Sequence, residues 1–141
     1  MGVVLISLIE YVGPHANSPD WTPARQDNAH KLLVAVNALE TEMLAAGVVF
    51  PINPATGSGV SGQTFGGFRP QDCPQGAAHS AHKEGLAVDR YDPYGAIDAY
   101  LMKNQDLLEK YGIYIEHPSK TEKWSHWSIK PPGSGNHVFY P

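Results

Sequence analysis

Apolar side chains recur at helical spacing early in the chain, at Leu32, Val36, Leu39 and Met43. That spacing puts them on one face of a helix. Thr22 can cap the helix start, Pro23 suits its first position and Gly47 suits its stop. The pattern predicts a principal packing helix near residues 23–46. From Pro51 to Gly67 the chain is rich in Gly, Ser, Pro and Asn, which reads as loop with a short strand near Gln63–Phe65. Leu86–Tyr91 has strand character. A second helix is expected from Asp92-Pro93, with Asp92 as cap, Ile97, Leu101, Leu108 and Tyr111 on one face, and Gly112 as its end.

Two short β-prone runs follow, Ile113–Glu116 and Trp124–Ile129. The turn-like His117-Pro118-Ser119-Lys120 between them makes a hairpin. The tail from Pro131 carries Gly and Pro and ends on apolar Val138-Phe139-Tyr140. No internal repeat and no second domain is visible, so residues 1–141 are read as one domain, a length that buries a core of ordinary size.

Alternate strand residues share a face. Trp124, His126 and Ser128 therefore point one way, and Tyr114 and Glu116 share a face on the partner strand. Pairing symmetric about Lys120 sets Glu116 opposite Trp124 and Tyr114 opposite His126. Glu116 then lies diagonally across from His126. Glu122 is four residues from His126 along the chain, about 13 Å if extended.

Hydrophobic residues make up 42% and charged residues 17%, which excludes a disordered chain. Net charge is −4, with no basic stripe, so nucleic acid is not the expected partner. Cys73 is the only cysteine; no internal disulfide and no Cys-x-x-Cys zinc knuckle can form. The apolar Met1–Ile9 is short, lacks a basic start and runs into Glu10, so it reads as a folded segment and not a secretory signal. No run approaches the roughly 20 apolar residues of a membrane span. The expectation is a soluble, monomeric protein made in the cytoplasm.

The chemistry concentrates in His79-Ser80-Ala81-His82-Lys83-Glu84-Gly85-Leu86-Ala87-Val88-Asp89 and in Lys123-Trp124-Ser125-His126-Trp127. His82, Asp89 and His126 are two imidazoles and one carboxylate. That donor set suits a catalytic zinc ion, which wants three protein ligands and one open position. His79 is close enough to reach such a site, though a loop role suits it better. His15, His30, His117 and His137 are not expected as ligands. Arg69 can hold a substrate carboxylate by two parallel bonds. Ser80 either bonds substrate or caps its loop, and Trp124 shares the His126 face and can wall a cleft. Glu116 and Glu122 are the candidate general bases, and the hairpin geometry prefers Glu116.

Three elements carry a family resemblance: Gly67-Phe68-Arg69-Pro70, then Ser80-x-His82-x-x-Gly85-x-Ala87-x-Asp89, then Trp124-x-His126. They resemble the M15 peptidases, zinc D-alanyl-D-alanine carboxypeptidases and peptidoglycan endopeptidases. The tail Ser134-Gly135-Asn136-His137-Val138-Phe139-Tyr140-Pro141 is similar to that of small phage-encoded members. The resemblance spans roughly residues 60–141. It implies an α+β fold, a small antiparallel sheet with flanking helices of the hedgehog/DD-peptidase-like type. It also implies zinc held by His82, Asp89 and His126, Arg69 as a substrate-binding residue, and peptidoglycan stem peptides as substrate. A phage enzyme of this kind would reach the wall after holin-type release or as part of a virion. Many members place the catalytic glutamate three residues before the last histidine, where this chain has Lys123; others use His-x-His, and here Trp124 takes the first place. A zinc-binding domain without catalysis and a virion structural component are the alternatives.

Overall fold

The first helix of the computed structural model, α1 (Leu8–Val12), opens on a capping box in which Ser7 Oγ accepts from the Glu10 N–H and the Glu10 carboxylate accepts from the Ser7 N–H. The structure describes residues 5–62, 66–74 and 80–140. Helix α2 (Pro23–Ala45) starts where expected, with the Thr22 hydroxyl accepting from the Arg25 N–H. Leu32, Val36, Leu39 and Met43 are fully buried and form the spine of the core. Gly47, at φ +92°, follows the helix end. The strand expected near Gln63–Phe65 lies outside the described residues.

After strand β1 (Ala87–Tyr91) the expected single helix is two, α3 (Ala96–Lys103) and α4 (Asp106–Tyr111). Asp92 does cap α3, but from four residues ahead of it. Its carboxylate accepts from the Ile97 and Asp98 N–H groups, so the intervening Pro93-Tyr94-Gly95 forms a turn. Asn104, at φ −133° and ψ 50°, leaves helical geometry and separates the two pieces.

Strands β2 (Tyr114–Glu116), β3 (Trp124–Ser128) and β4 (Val138–Phe139) complete a four-stranded sheet in the order β1-β3-β2-β4. The α+β expectation stands, but the sheet is mixed and not antiparallel. β3 runs against both β1 and β2, while β4 runs parallel to β2. The tail returns along the free edge of β2, where the Ile115 N–H donates to His137 O (2.8 Å) and the His117 N–H to Phe139 O (2.7 Å). The hairpin register also differs from the symmetric one. Tyr114 pairs with Ser128 and Ile115 with Trp127, and one step further brings Glu116 level with His126. The shift is two residues, which keeps each side chain on its expected face. Its source is the connection, where a one-turn 3-10 helix (Pro118–Lys120) and a left-handed Lys123 (φ +73°) replace a symmetric turn.

Helix α3 braces the central strand from behind. Asp98, buried, accepts from Ser125 Oγ (2.5 Å) and Thr121 Oγ1 (2.9 Å), and Ser125 Oγ accepts from the Trp127 indole N–H (2.8 Å). Burial pushes the Asp98 carboxyl up from 3.8 to about 6, against the two hydroxyl donors. The folded state therefore favours the protonated acid. Asp98 contributes most stability below its ordinary value, and that contribution is lost as pH rises through about 6. Chemical denaturation across pH tests this. The unfolding free energy of wild type relative to Asp98→Asn should fall between about pH 4 and pH 6, by up to about 3 kcal/mol. A pH-independent difference would show that Asp98 does not titrate there.

Candidate metal centre

In the β1–β3 ladder Asp89 stands directly opposite His126. Residues in register share a face of the sheet, so the carboxylate and the imidazole meet without any loop to position them. His82 arrives from a one-turn 3-10 helix (Ala81–Glu84) ahead of β1. Ser80 caps that turn, its Oγ accepting from the His82 N–H at 3.3 Å. Gly85 then takes a left-handed conformation (φ +77°) to enter β1, and a Cβ there would lie 2.7 Å from the Arg25 carbonyl oxygen.

Three donor atoms converge. His82 Nε2 lies 3.2 Å from Asp89 Oδ1 and 3.3 Å from His126 Nδ1, and His126 Nδ1 lies 2.9 Å from Asp89 Oδ1. All three residues are buried. His82 Nδ1 is 2.8 Å from the Gly67 carbonyl oxygen, which can only accept. The proton of His82 is thereby placed on Nδ1, and the Nε2 lone pair faces the other two donors. A cation among the three atoms would satisfy all of them at once. His82, Asp89 and His126 are a group that could hold a metal ion, the only such group among the described residues.

The electrostatics agree. Burial alone would raise the Asp89 carboxyl, but the charge of His82 and the hydrogen bonds of both imidazoles outweigh it and hold Asp89 well below the usual carboxylate range. Burial likewise opposes the His126 imidazolium, yet the Asp89 hydrogen bond and the charges of Asp89 and Glu116 raise it overall.

Arg69 lies beside this group, its guanidinium 3.2 Å from Asp89 Oδ2, the oxygen turned away from the two imidazoles. It is therefore more than a surface ion-pair residue. The Gly67-Phe68-Arg69 stretch reaches this place because Gly67 lies against Tyr11. A Cβ on Gly67 would come within 2.0 Å of the Tyr11 carbonyl oxygen, the acceptor of the Phe68 N–H. One glycine thus sets both the acceptor for His82 and the approach of Arg69.

The group opens into a cleft of about 560 Å³ whose walls include Arg69, Ser80, Glu116, Trp124 and Phe139. Glu116 is half-buried there, and burial raises its carboxyl above the ordinary range against the opposing field of His126. Glu122 is exposed and lines two other hollows, not the metal cleft. Trp124 walls the cleft, whereas Trp127 points the other way into the core. His117 and His137 stack on Tyr140 and Tyr114, His15 packs against Phe68, and His30 is exposed, all away from the donor group. His79 lies outside the described residues. Cys73 is buried and free. Sequence reasoning missed Phe139, whose ring meets that of His126 edge-on at 6.1 Å, and the loop Lys130–Gly133, which also lines the cleft. Strand alternation from His126 through Ser128 pointed toward that loop; no local signal pointed to Phe139.

Compared with protein-family models, with curated proteins and with solved structures, the chain matches none. No helix among the described residues is long and apolar enough to cross a membrane.

Titrating metal-free protein with Co²⁺ should show one ion per chain and a thermal midpoint that rises with metal concentration. His126→Ala and Asp89→Asn should each lose both effects. A full equivalent retained by His126→Ala would remove that ligand from the centre.

Proposed function

We propose that this protein is a zinc-dependent hydrolase that cleaves peptide bonds in peptidoglycan stem peptides. The carrying observation is the triangle of His82 Nε2, Asp89 Oδ1 and His126 Nδ1, with edges of 2.9 to 3.3 Å, open to a cleft on one side. Ligands about 2.0–2.1 Å from a tetrahedral zinc ion stand roughly 3.3 Å apart, so the residues present fit the ion. Two histidines and a carboxylate also leave the fourth position that hydrolysis needs. The M15-like motifs at Arg69, His82, Asp89 and His126 supply the substrate class, and with it delivery by release or as a virion part.

When bound, zinc would supply Lewis acidity and an activated water at neutral pH. Glu116 takes the proton of the attacking water and returns it to the leaving nitrogen. It lines the cleft level with His126, and its raised carboxyl lies closer to neutral pH than an exposed glutamate would. Arg69 holds the outer oxygen of Asp89 and so keeps the inner one on the two imidazoles. Arg69 also lines the cleft, where a substrate carbonyl or carboxylate would pass. Ser80 and Trp124 line the walls a peptide would touch. Lys123, standing where many M15 members carry their glutamate, favours the rival reading of a zinc-binding domain without catalysis.

Turnover of purified peptidoglycan with and without chelator separates the two readings; metal-dependent release of peptide fragments is the expected result. Glu116→Gln should keep its metal and lose on the order of 10²-fold or more in kcat, while Glu122→Gln keeps kcat near wild type. The reverse pattern would assign the base to Glu122, and full activity in both would end the glutamate mechanism. Arg69→Ala should lose about 10- to 100-fold in metal affinity or activity. Unchanged values of both would take Arg69 out of the site.

A further inference from the structure

Lys123 is the one non-glycine residue with positive φ among the described residues, at +73°. A side chain with a Cβ is disfavoured there, and glycine or asparagine would serve the turn better. Its carbonyl is fixed by the Asp92 N–H (3.2 Å), and the next residue, Trp124, opens β3. A bulky cation held in an unfavourable conformation next to Trp124, a residue of the cleft wall, points to use of its side chain.

The surroundings give that use a direction. Trp124 lines the metal cleft and also a shallow groove with Ser119, Lys120, Glu122 and Lys123, so the two hollows share that residue. Lys120 and Lys123 are exposed, and among the described residues neither pairs with a carboxylate. Lys31, Lys110 and Lys130, by contrast, each pair with an acid. Two lysines against the single Glu122 leave this groove one positive charge in excess, on a chain of net charge −4.

We propose that Lys120 and Lys123, beside Trp124, form a subsite for a free carboxylate of the substrate peptide, next to the candidate metal cleft. The inference rests on the stem-peptide reading for the identity of the ligand. Glu122 acts in the same groove as the opposing charge, and it tunes carboxylate binding without taking part in bond cleavage.

The test compares peptidoglycan fragments bearing free stem carboxylates with the same fragments amidated at those positions. Wild type should prefer the free acids. Lys123→Gly should lower kcat/KM on the free acids about two- to fivefold, the range of an exposed charge contact, and leave the amidated fragments unchanged. Its Tm should not fall, because glycine relieves the left-handed turn. Glu122→Gln should shift the preference the other way, and the contrast should fade at an ionic strength of about 0.5 M. Equal loss on both fragments, or an unchanged ratio in Lys123→Gly, overturns the subsite. Absence of metal-dependent cleavage by wild type would instead overturn the hydrolase reading. The Kd of the two fragments for metal-free protein then decides the subsite by the same ratio.

Discussion

The Asp89 carboxylate is the group around which the site is organised. It is buried on β1, the outermost strand beside β3, where an ionised acid without partners would cost several kcal/mol. Two imidazoles meet one of its oxygens and a guanidinium meets the other. Each partner comes from a different part of the chain. His126 comes from the neighbouring strand, His82 from the turn before β1, and Arg69 from the segment that Gly67 lets lie on α1. A cation shared among the three donor atoms converts their mutual repulsion into coordination. Binding there would add to the stability of the fold as well as supply chemistry.

The same strand carries a second buried charge on its other face. Arg90 pairs with Glu40 of α2 and lies over the rings of Phe50 and Trp127, 4.8 and 5.3 Å from their centroids. Successive residues of β1 thus send a carboxylate to the cleft and a guanidinium to the core. A slip of one residue would exchange them, placing Arg90 among the imidazoles and Asp89 against Phe50 and Trp127. Both faces reject that arrangement strongly, because each would then hold an uncompensated charge. The register that sets Asp89 against His126 is therefore specified from both sides of the sheet, and α2, through Glu40, takes part in specifying it.

Helix α2 and the pairing of the two strands around residues 117–120 were legible because their signals are local. Thr22, Pro23 and the run from Leu32 to Met43 define α2 by capping and period alone. The preference for Glu116 over Glu122 used strand alternation, a symmetric register and the extended distance of Glu122. A register shift of two leaves alternation intact, so Glu116 still lines the cleft beside His126. What stayed hidden depends on contacts distant in sequence. The left-handed Lys123 breaks the usual rule for turn residues and could not be anticipated from propensity. The split between α3 and α4 falls at Asn104, which leaves helical geometry with no Gly or Pro to announce it. Gly67 as the partner of His82 needs the Tyr11 carbonyl as a stop.

The parallel tail strand was the least legible element, because two residues of strand carry no period. Its placement follows from pairings at both ends: Tyr114 stacks on His137 at 4.4 Å and His117 on Tyr140 at 4.6 Å. Between them Phe139 pairs with Glu116 in parallel register, so both side chains face the cleft. An edge strand left bare would expose unpaired backbone groups and leave Glu116 open to water. The tail covers that edge and sets an aromatic ring beside both the glutamate and His126. A carboxylate in such a place is less hydrated and a stronger proton acceptor than one on the surface. The difference between Glu116 and Glu122 is thus one of surroundings: one lies under the returning chain, and the other stands in solvent three residues from the nearest ligand's strand neighbour, Ser125.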